Sequence, residues 1–341
     1  MSDLNIISSP HLHKGIHVNR VMRQVILALL PGILVSTWFY GPGVLVQCVF
    51  AILFALFFEY LMLKARKQPV GLYINDGSAV ITALLFAITI SPFTPIWVNL
   101  VGMGFAVCIC KHCFGGLGYN LFNPAMAGYV FVLLCFPLAV SVWPQVIHDQ
   151  DTASFLQTLQ IIFAGSNTNE NFDALTGATP LGYVKSQLSG MAMISEVRTS
   201  PVFGTFAGRG QEWIALCWLI GGVWLIMARV IRWQFPVIFL MTIFLLSLFF
   251  SWSDAERYIS PMLTLFTGGT MLAAFFIVTD PVTASGTPRG RIIYLAGIAI
   301  LTYLIRTWGS YPDGIAFAVL LMNATVPLID MFTRPKVFGE S

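Results

Sequence analysis

The sequence predicts an all-α polytopic membrane protein: ten transmembrane helices in two inverted five-helix halves, with one extracytoplasmic insertion between them. Three observations predict it. Of 341 residues, 57% are apolar and only 10% are charged, more apolar side chains than a soluble domain places in its core. Ten apolar runs approach the length of about 17–25 helical residues that crosses about 30 Å of hydrocarbon. Finally, segments of the first half repeat in the same order in the second.

The elements follow in chain order. Residues 1–23 form a cytoplasmic N-terminal segment carrying His11, His13, Lys14, His17 and Arg20; without an apolar core of its own, it does not read as a cleaved signal. The first half, 24–143, holds runs near 21–40, 44–63, 78–92, 95–111 and 125–143, and the second, 212–331, holds runs near 212–230, 235–252, 262–279, 291–308 and 314–331. Each is expected to be helical, because lipid offers no partner to free backbone groups. Ten crossings with the N-terminus inside put Lys14, Arg20, Arg23, Lys64, Arg66, Lys67, Lys111, Arg229, Arg232, Arg289, Arg291, Arg334 and Lys336 inside, 13 of the 18 cations. That bias sets the orientation: both termini and the tail 332–341 cytoplasmic, residues 144–211 periplasmic.

Segment 144–211 is the only extramembrane piece large enough to hold structure. It is rich in Ser, Thr, Asn and Gly, with no cysteine to staple it and one apolar run, "FLQTLQIIFAG", that reads as an amphipathic helix against the membrane surface. Its stretch "DALTGATP" (173–180) is small and turn-rich; Thr179 precedes a proline, which biases it to extended backbone, and Gly177 and Ala178 leave room around its hydroxyl.

The repeat pairs "TALLFAITISP" (82–92) with "TMLAAFFIVTDP" (270–281), and "FGGLGYNLFNPAMAGYVF" (114–131) with "WGSYPDGIAFAVLL" (308–321). Five spans per half is odd, so the halves insert in opposite senses, as in many transporters, whose sites form where helices are interrupted. Pro31-Gly32, Gly221-Gly222 and Gly268-Gly269 are the candidate interruptions, with close helix packing as the competing reading. Glu59, Asp280 and Arg306 sit near predicted span ends and read as boundary residues reaching the interface.

Cys108, Cys110 and Cys113 spell C-x-C-x-x-C, one thiol short of the usual cluster set, so packing is preferred and no metal is expected. Phosphate-loop, dinucleotide and hydrolase signatures are absent from the sequence. Two Gly- and Asn- or Thr-rich inner loops, 111–129 and 278–291, have backbone suited to an anion or a ring edge.

"SSPHLHKGIHVNRVM", "KHCFGGLGYNLFNPAMAGYVFVLLCFP", "AFFIVTDPVTASGTPRGRIIY" and "GSYPDGIAFAVLLMNATVPLIDMFTRPKVFG" resemble the D-subunit family of the Rnf ion-translocating ferredoxin:NAD oxidoreductase. The related B subunits of the sodium-pumping NADH:quinone reductase usually carry a longer N-terminal extension. The resemblance implies a redox subunit of a translocase complex in the bacterial inner membrane, coupling electron transfer to ion movement and not active alone. It implies FMN joined by a phosphoester to a threonine in a pattern like D-x-x-[S/T]-x-A-T. Here that pattern is Asp173, Thr176, Gly177, Ala178 and Thr179, with Thr179 the attachment residue. It also implies a second, noncovalent riboflavin or other flavin. The implied partners are iron–sulfur, NADH-binding, second FMN-bearing and membrane subunits, with a flavin transferase; no nucleic acid is expected. On the residues alone, a cofactor-free channel or transporter, or a scaffold subunit, stays open.

Overall fold

The computed structural model describes residues 18–146, 153–165 and 172–334. The expectations for residues 1–17, 147–152, 166–171 and 335–341 lie outside the described residues.

Six of the ten predicted spans are helices long and apolar enough to cross a membrane. They are α1 (Val18–Tyr40), α2 (Gly43–Ala65), α4 (Ile96–Cys113), α9 (Gln234–Ser253), α12 (Pro288–Trp308) and α13 (Ile315–Phe332). Their outer faces carry Leu27, Leu34, Leu53, Phe57, Leu245 and Phe249, all exposed, as lipid-facing stripes are. Exposed Trp38, Trp213, Trp252 and Trp308 sit close to helix ends, where amphipathic rings favour the boundary with water.

The other four predicted spans are helical but short or broken. Helix α3 (Ser78–Thr89) and helix α5 (Pro124–Cys135) have 12 residues each, about 18 Å of rise, too little to cross alone. Sequence sets their ends: Gly77 at φ +82° precedes α3 and Pro92 follows it, while Asn123 caps α5 by accepting from Met126 N (3.2 Å) and Pro137 follows its end. Helix α8 (Gln211–Met227) has 17 residues. The eighth predicted span is two pieces, α10 (Pro261–Phe266) and α11 (Thr270–Leu272, continuing in wider π turns over Ala273–Ile277), separated at Gly268 with φ +66°.

Of the three candidate interruptions, only Gly268-Gly269 breaks a helix. Pro31 lies within continuous α1, and Gly221-Gly222 within continuous α8. These glycines serve close packing: a Cβ on Gly32 would stand 2.2 Å from Trp218, and one on Gly221 would stand 2.3 Å from Ala28 O. The α1–α8 seam joins the two halves with backbones in near contact.

Helix neighbours are shared by the two halves. Helix α2 packs along α3 and α4, as α9 packs along α10 and α12; α4 packs on α5, as α12 packs on α13. Across the halves, α1 meets α8 and α5 meets α13, first helix on first and last on last, the pattern of a pseudo-two-fold relation.

The insertion is ordered where described. Its apolar run forms α6 (Phe155–Ala164) behind a capping box of Ser154 and Gln157. Thr158, Ile161 and Ile162 are buried, Phe163 packs edge-on against Phe50 of α2, and Phe155 and Leu156 stay exposed. Thr176–Gly177 pairs antiparallel with Trp143–Pro144, and α7 (Pro180–Ser189) follows directly.

Candidate functional site

Thr179 is the N-cap of α7: its backbone is extended (φ −63°, ψ 152°), and its Oγ1 accepts from Gly182 N at 3.2 Å. The Thr-Pro order produces this geometry, since proline at the first helical position keeps its predecessor out of the helix. The hydroxyl therefore sits at the positive end of a ten-residue helix. Lys185 fixes the far side of α7: its Nζ donates to Tyr311 O at 2.6 Å and reaches Ile305 O and Arg306 O at 3.4 Å.

Thr179 also lines a cavity of about 210 Å³ between the halves. Its walls are the end of α1 (Ser36, Tyr40), the end of α3 (Ile88, Thr89), the start of α8 (Gln211, Trp218), the Gly268-Gly269 break and the start of α13 with Asp313. Tyr40 and Trp143 meet edge to face at 5.5 Å. Gln211 bridges the halves, donating to Tyr40 OH (3.1 Å) and accepting from Gly268 N (3.1 Å). Such a wall is apolar and aromatic with a few aimed polar groups, the makeup of a small-molecule site.

The other residues of the stretch lie upstream of this cavity. Asp173 is exposed in the turn Phe172–Leu175, Thr176 Oγ1 donates to Asp173 O at 3.2 Å, Gly177 is in the strand pair, and Ala178 is exposed.

A second cavity, of about 170 Å³, opens at the opposite helix ends. It is walled by the start of α1 (Met22, Val25), the start of α3 (Ser78, Thr82), the end of α8 (Leu225), the end of α11 (Phe275, Phe276) with Asp280, and the start of α5 with Asn123 and Lys111. Wherever the first cavity uses the start of a helix from one half, the second uses the start of its repeat mate. The ends of α1 and α3 at the first cavity are matched by the ends of α8 and α11 at the second, but Tyr129, Leu133 and Val140 to Trp143 also line the first, and no residue of α13 lines the second. The two cavities are related in most of their walls.

Each cavity stands beside a cation two residues from the end of its half's fourth helix, Lys111 in α4 and Arg306 in α12. Sequence reasoning placed Glu59 and Arg306 at the interface; both turn inward instead. Glu59 is 2% exposed, 2.8 Å from Lys111 Nζ and 3.1 Å from His112 Nε2. Arg306 bonds Asp313 through Nη2 at 3.1 Å and donates to Thr270 Oγ1 at 2.8 Å. The reason is pairing: an ion inside an apolar bundle is retained when a partner lies closer than water. The signal was present as opposite charges within apolar runs, but Glu59 and Lys111 are 52 residues apart. Asp280 accepts from Val282 N and Thr283 Oγ1, both at 3.1 Å, within its own loop.

Cys110 is buried, Cys108 half-buried and Cys113 exposed, along the π turns of α4. Among the described residues, no three His, Cys, Asp or Glu side chains gather as a metal site.

Comparison with known proteins covers the whole of this architecture. The family model of the NQR2, RnfD, RnfE family matches residues 5–339. The chain is 43% identical to the D subunit of the ion-translocating oxidoreductase complex of Aliivibrio salmonicida, over 98% of each chain. It is 45% identical to the protein of the same name from Escherichia fergusonii and 44% identical to that from Salmonella typhi, again over 98% of each. Matched almost from end to end, the chain belongs to the NQR2, RnfD, RnfE family.

Proposed function

We propose that the chain is the membrane subunit of an ion-translocating electron-transfer complex of the inner membrane, with FMN joined through its phosphate to Thr179 Oγ1. The observation that carries this reading is Thr179 itself: among the five residues of the pattern, it alone lines this cavity, and its hydroxyl stands at a helix N-terminus. A phosphodiester there keeps one negative charge beside the free backbone N–H groups of α7, an arrangement worth about 0.3–1 kcal/mol at a helix end. The residues fit the rest of the group as well. Tyr40, Trp143 and Trp218 offer ring faces, and Gln211 and Asp313 offer an amide and a carboxylate to ring-edge atoms. A bound flavin supplies one- and two-electron exchange; the chain positions it and fixes it against loss to the outer compartment.

The second cavity takes a noncovalent flavin in this reading. Its support is the exchange of helix ends between the two cavities, with Asn123 standing where Asp313 stands in the first, and no inserted segment reaching it among the described residues.

The energy of coupling is adequate. Moving one charge against about 150 mV needs about 3.5 kcal/mol, and two electrons falling about 100 mV release about 4.6 kcal/mol. The fixed sites between inverted halves are where alternating access acts in such folds.

The chain, made together with its flavin transferase, is denatured, run on a gel and viewed under ultraviolet light. A fluorescent band that disappears in Thr179→Ala is expected. A dark wild-type band rejects the reading in favour of a cofactor-free transporter or scaffold.

A further inference from the structure

The two cavities differ in which member of the buried ion pair beside them they present. In the second half, the helix position six residues before the end of α9 is Ser247, which bonds Thr264 Oγ1 at 3.0 Å. The acid for Arg306 is Asp313, and it is the carboxylate that lines the Thr179 cavity. In the first half, the matching place, six residues before the end of α2, is Glu59. The acid stands behind Lys111, and it is the ammonium that lines the second cavity.

Lys111 is held as a directed donor. Its Nζ gives one N–H to Glu59 Oε1 (2.8 Å) and one to Ser78 Oγ (2.9 Å), which leaves the third without a partner among the described residues. His112 stands beside Glu59. Arg66 Nη1 lies 3.3 Å from His112 Nδ1, and a guanidinium only donates, so Nδ1 accepts and the proton sits on Nε2, 3.1 Å from Glu59 Oε2 but without a hydrogen bond to it. The other carboxylate at this cavity, Asp280, is turned to the donors of its own loop. The apolar wall, with Phe275 and Phe276, keeps the dielectric low, so a fixed cation acts strongly on charge that develops nearby.

We propose that Lys111 donates its third N–H to the electron-rich edge of the ring in the second cavity and favours the reduced, anionic form of that ring, with Glu59 as the positioning residue. This rests on the reading of the second cavity as a noncovalent flavin site. When the ring takes up one electron, it gains one negative charge, no bond to the protein forms or breaks, and Lys111 keeps its proton. The ring at Thr179, facing Asp313, lacks this support, so the second-cavity ring is the easier of the two to reduce.

The test uses the full chain purified in detergent, carrying Thr179→Ala so that only the noncovalent ring is present, and titrated with dithionite through redox mediators. A double variant, Glu59→Gln with Lys111→Met, removes both charges together and leaves no unpaired buried ion to unfold the bundle. The midpoint in the double variant is expected to fall by at least about 59 mV, a tenfold loss of preference for the reduced form of a one-electron couple. Lys111→Arg, which keeps the charge, is expected to hold more than half of that preference. An unchanged midpoint in the double variant, with the ring still bound, overturns the role of Lys111. Acid treatment separates the two readings: wild-type chain that releases no flavin into the supernatant overturns the second-cavity site itself, and the proposal with it.

Discussion

The first and second halves of this chain solve the same problem, a cation buried at the end of a fourth helix, in different ways. In the first half the neutralising acid comes from the neighbouring second helix and is sealed at 2% exposure; in the second it comes from the loop before the last helix, and Asp313 keeps 30% of its side chain exposed. Placing the acid behind the cation or in front of it costs the fold little, because the pair is closed either way. It decides whether the cation or its acid faces the cavity. The two cavities, of about 210 and 170 Å³, are made electrostatically unlike by where the partner carboxylate stands.

The largest expected effect lies in the sealed pair. Glu59→Ala leaves Lys111 buried and unpaired, and should cost about 3–5 kcal/mol, seen as a large drop in the thermal unfolding midpoint in detergent. Asp313→Ala, at the more exposed pair, should cost less, about 1–3 kcal/mol, since water reaches part of the site. Equal losses at the two places would break the comparison.

Gly221→Leu tests whether the central seam is a joint or a gate. A Cβ there meets Ala28 O at 2.3 Å, so α1 and α8 must separate, at a cost of about 1–3 kcal/mol or more. The expected result is lower yield and thermal stability, with electron transfer and ion movement lost in proportion to folded protein. Ion movement lost alone, in fully folded protein, would restore this pair of glycines as a hinge.

Smaller effects separate anchoring from capping. Thr179→Asn removes the proposed site of attachment but keeps an N-cap acceptor, so α7 should retain its amide protection while fluorescence is lost. Thr179→Val should lose both, weakening the first turn of α7 by about 1 kcal/mol in hydrogen exchange. Ser154→Ala, in the capping box of α6, should loosen residues 155–164 by about 1 kcal/mol and leave fluorescence intact.

The helical content of this fold is legible in the sequence because lipid imposes it: an apolar run of sufficient length has one backbone solution. What hydropathy does not carry is where a run stops being a crossing. Ser78–Thr89 and Pro124–Cys135 read as spans because their flanks, up to Pro92 and across Pro137, are apolar too. Their prolines and Gly77 held the information, in backbone terms that a hydropathy average removes. Thr179 was reachable from its local spelling and the family resemblance. Its role as a cap follows from Thr-Pro alone, although the cavity beside it needed five other segments brought together. Lys111 and Glu59 were invisible as a pair, since each alone, near the end of a run, is spelled like a residue that reaches for water.

The strand pair and the lysine of the insertion have a mechanical consequence. Gly177 is tied to Trp143, at the close of the first half, and Lys185 ties α7 to backbone carbonyls of the second. Between the tie at Gly177 and the rigid start of α7 at Pro180 run only Ala178 and Thr179, a rope of three links. At about 3.3–3.6 Å per link it can reach no more than about 11 Å. Any parting of the halves at that end draws the rope taut, and the residue under tension is Thr179.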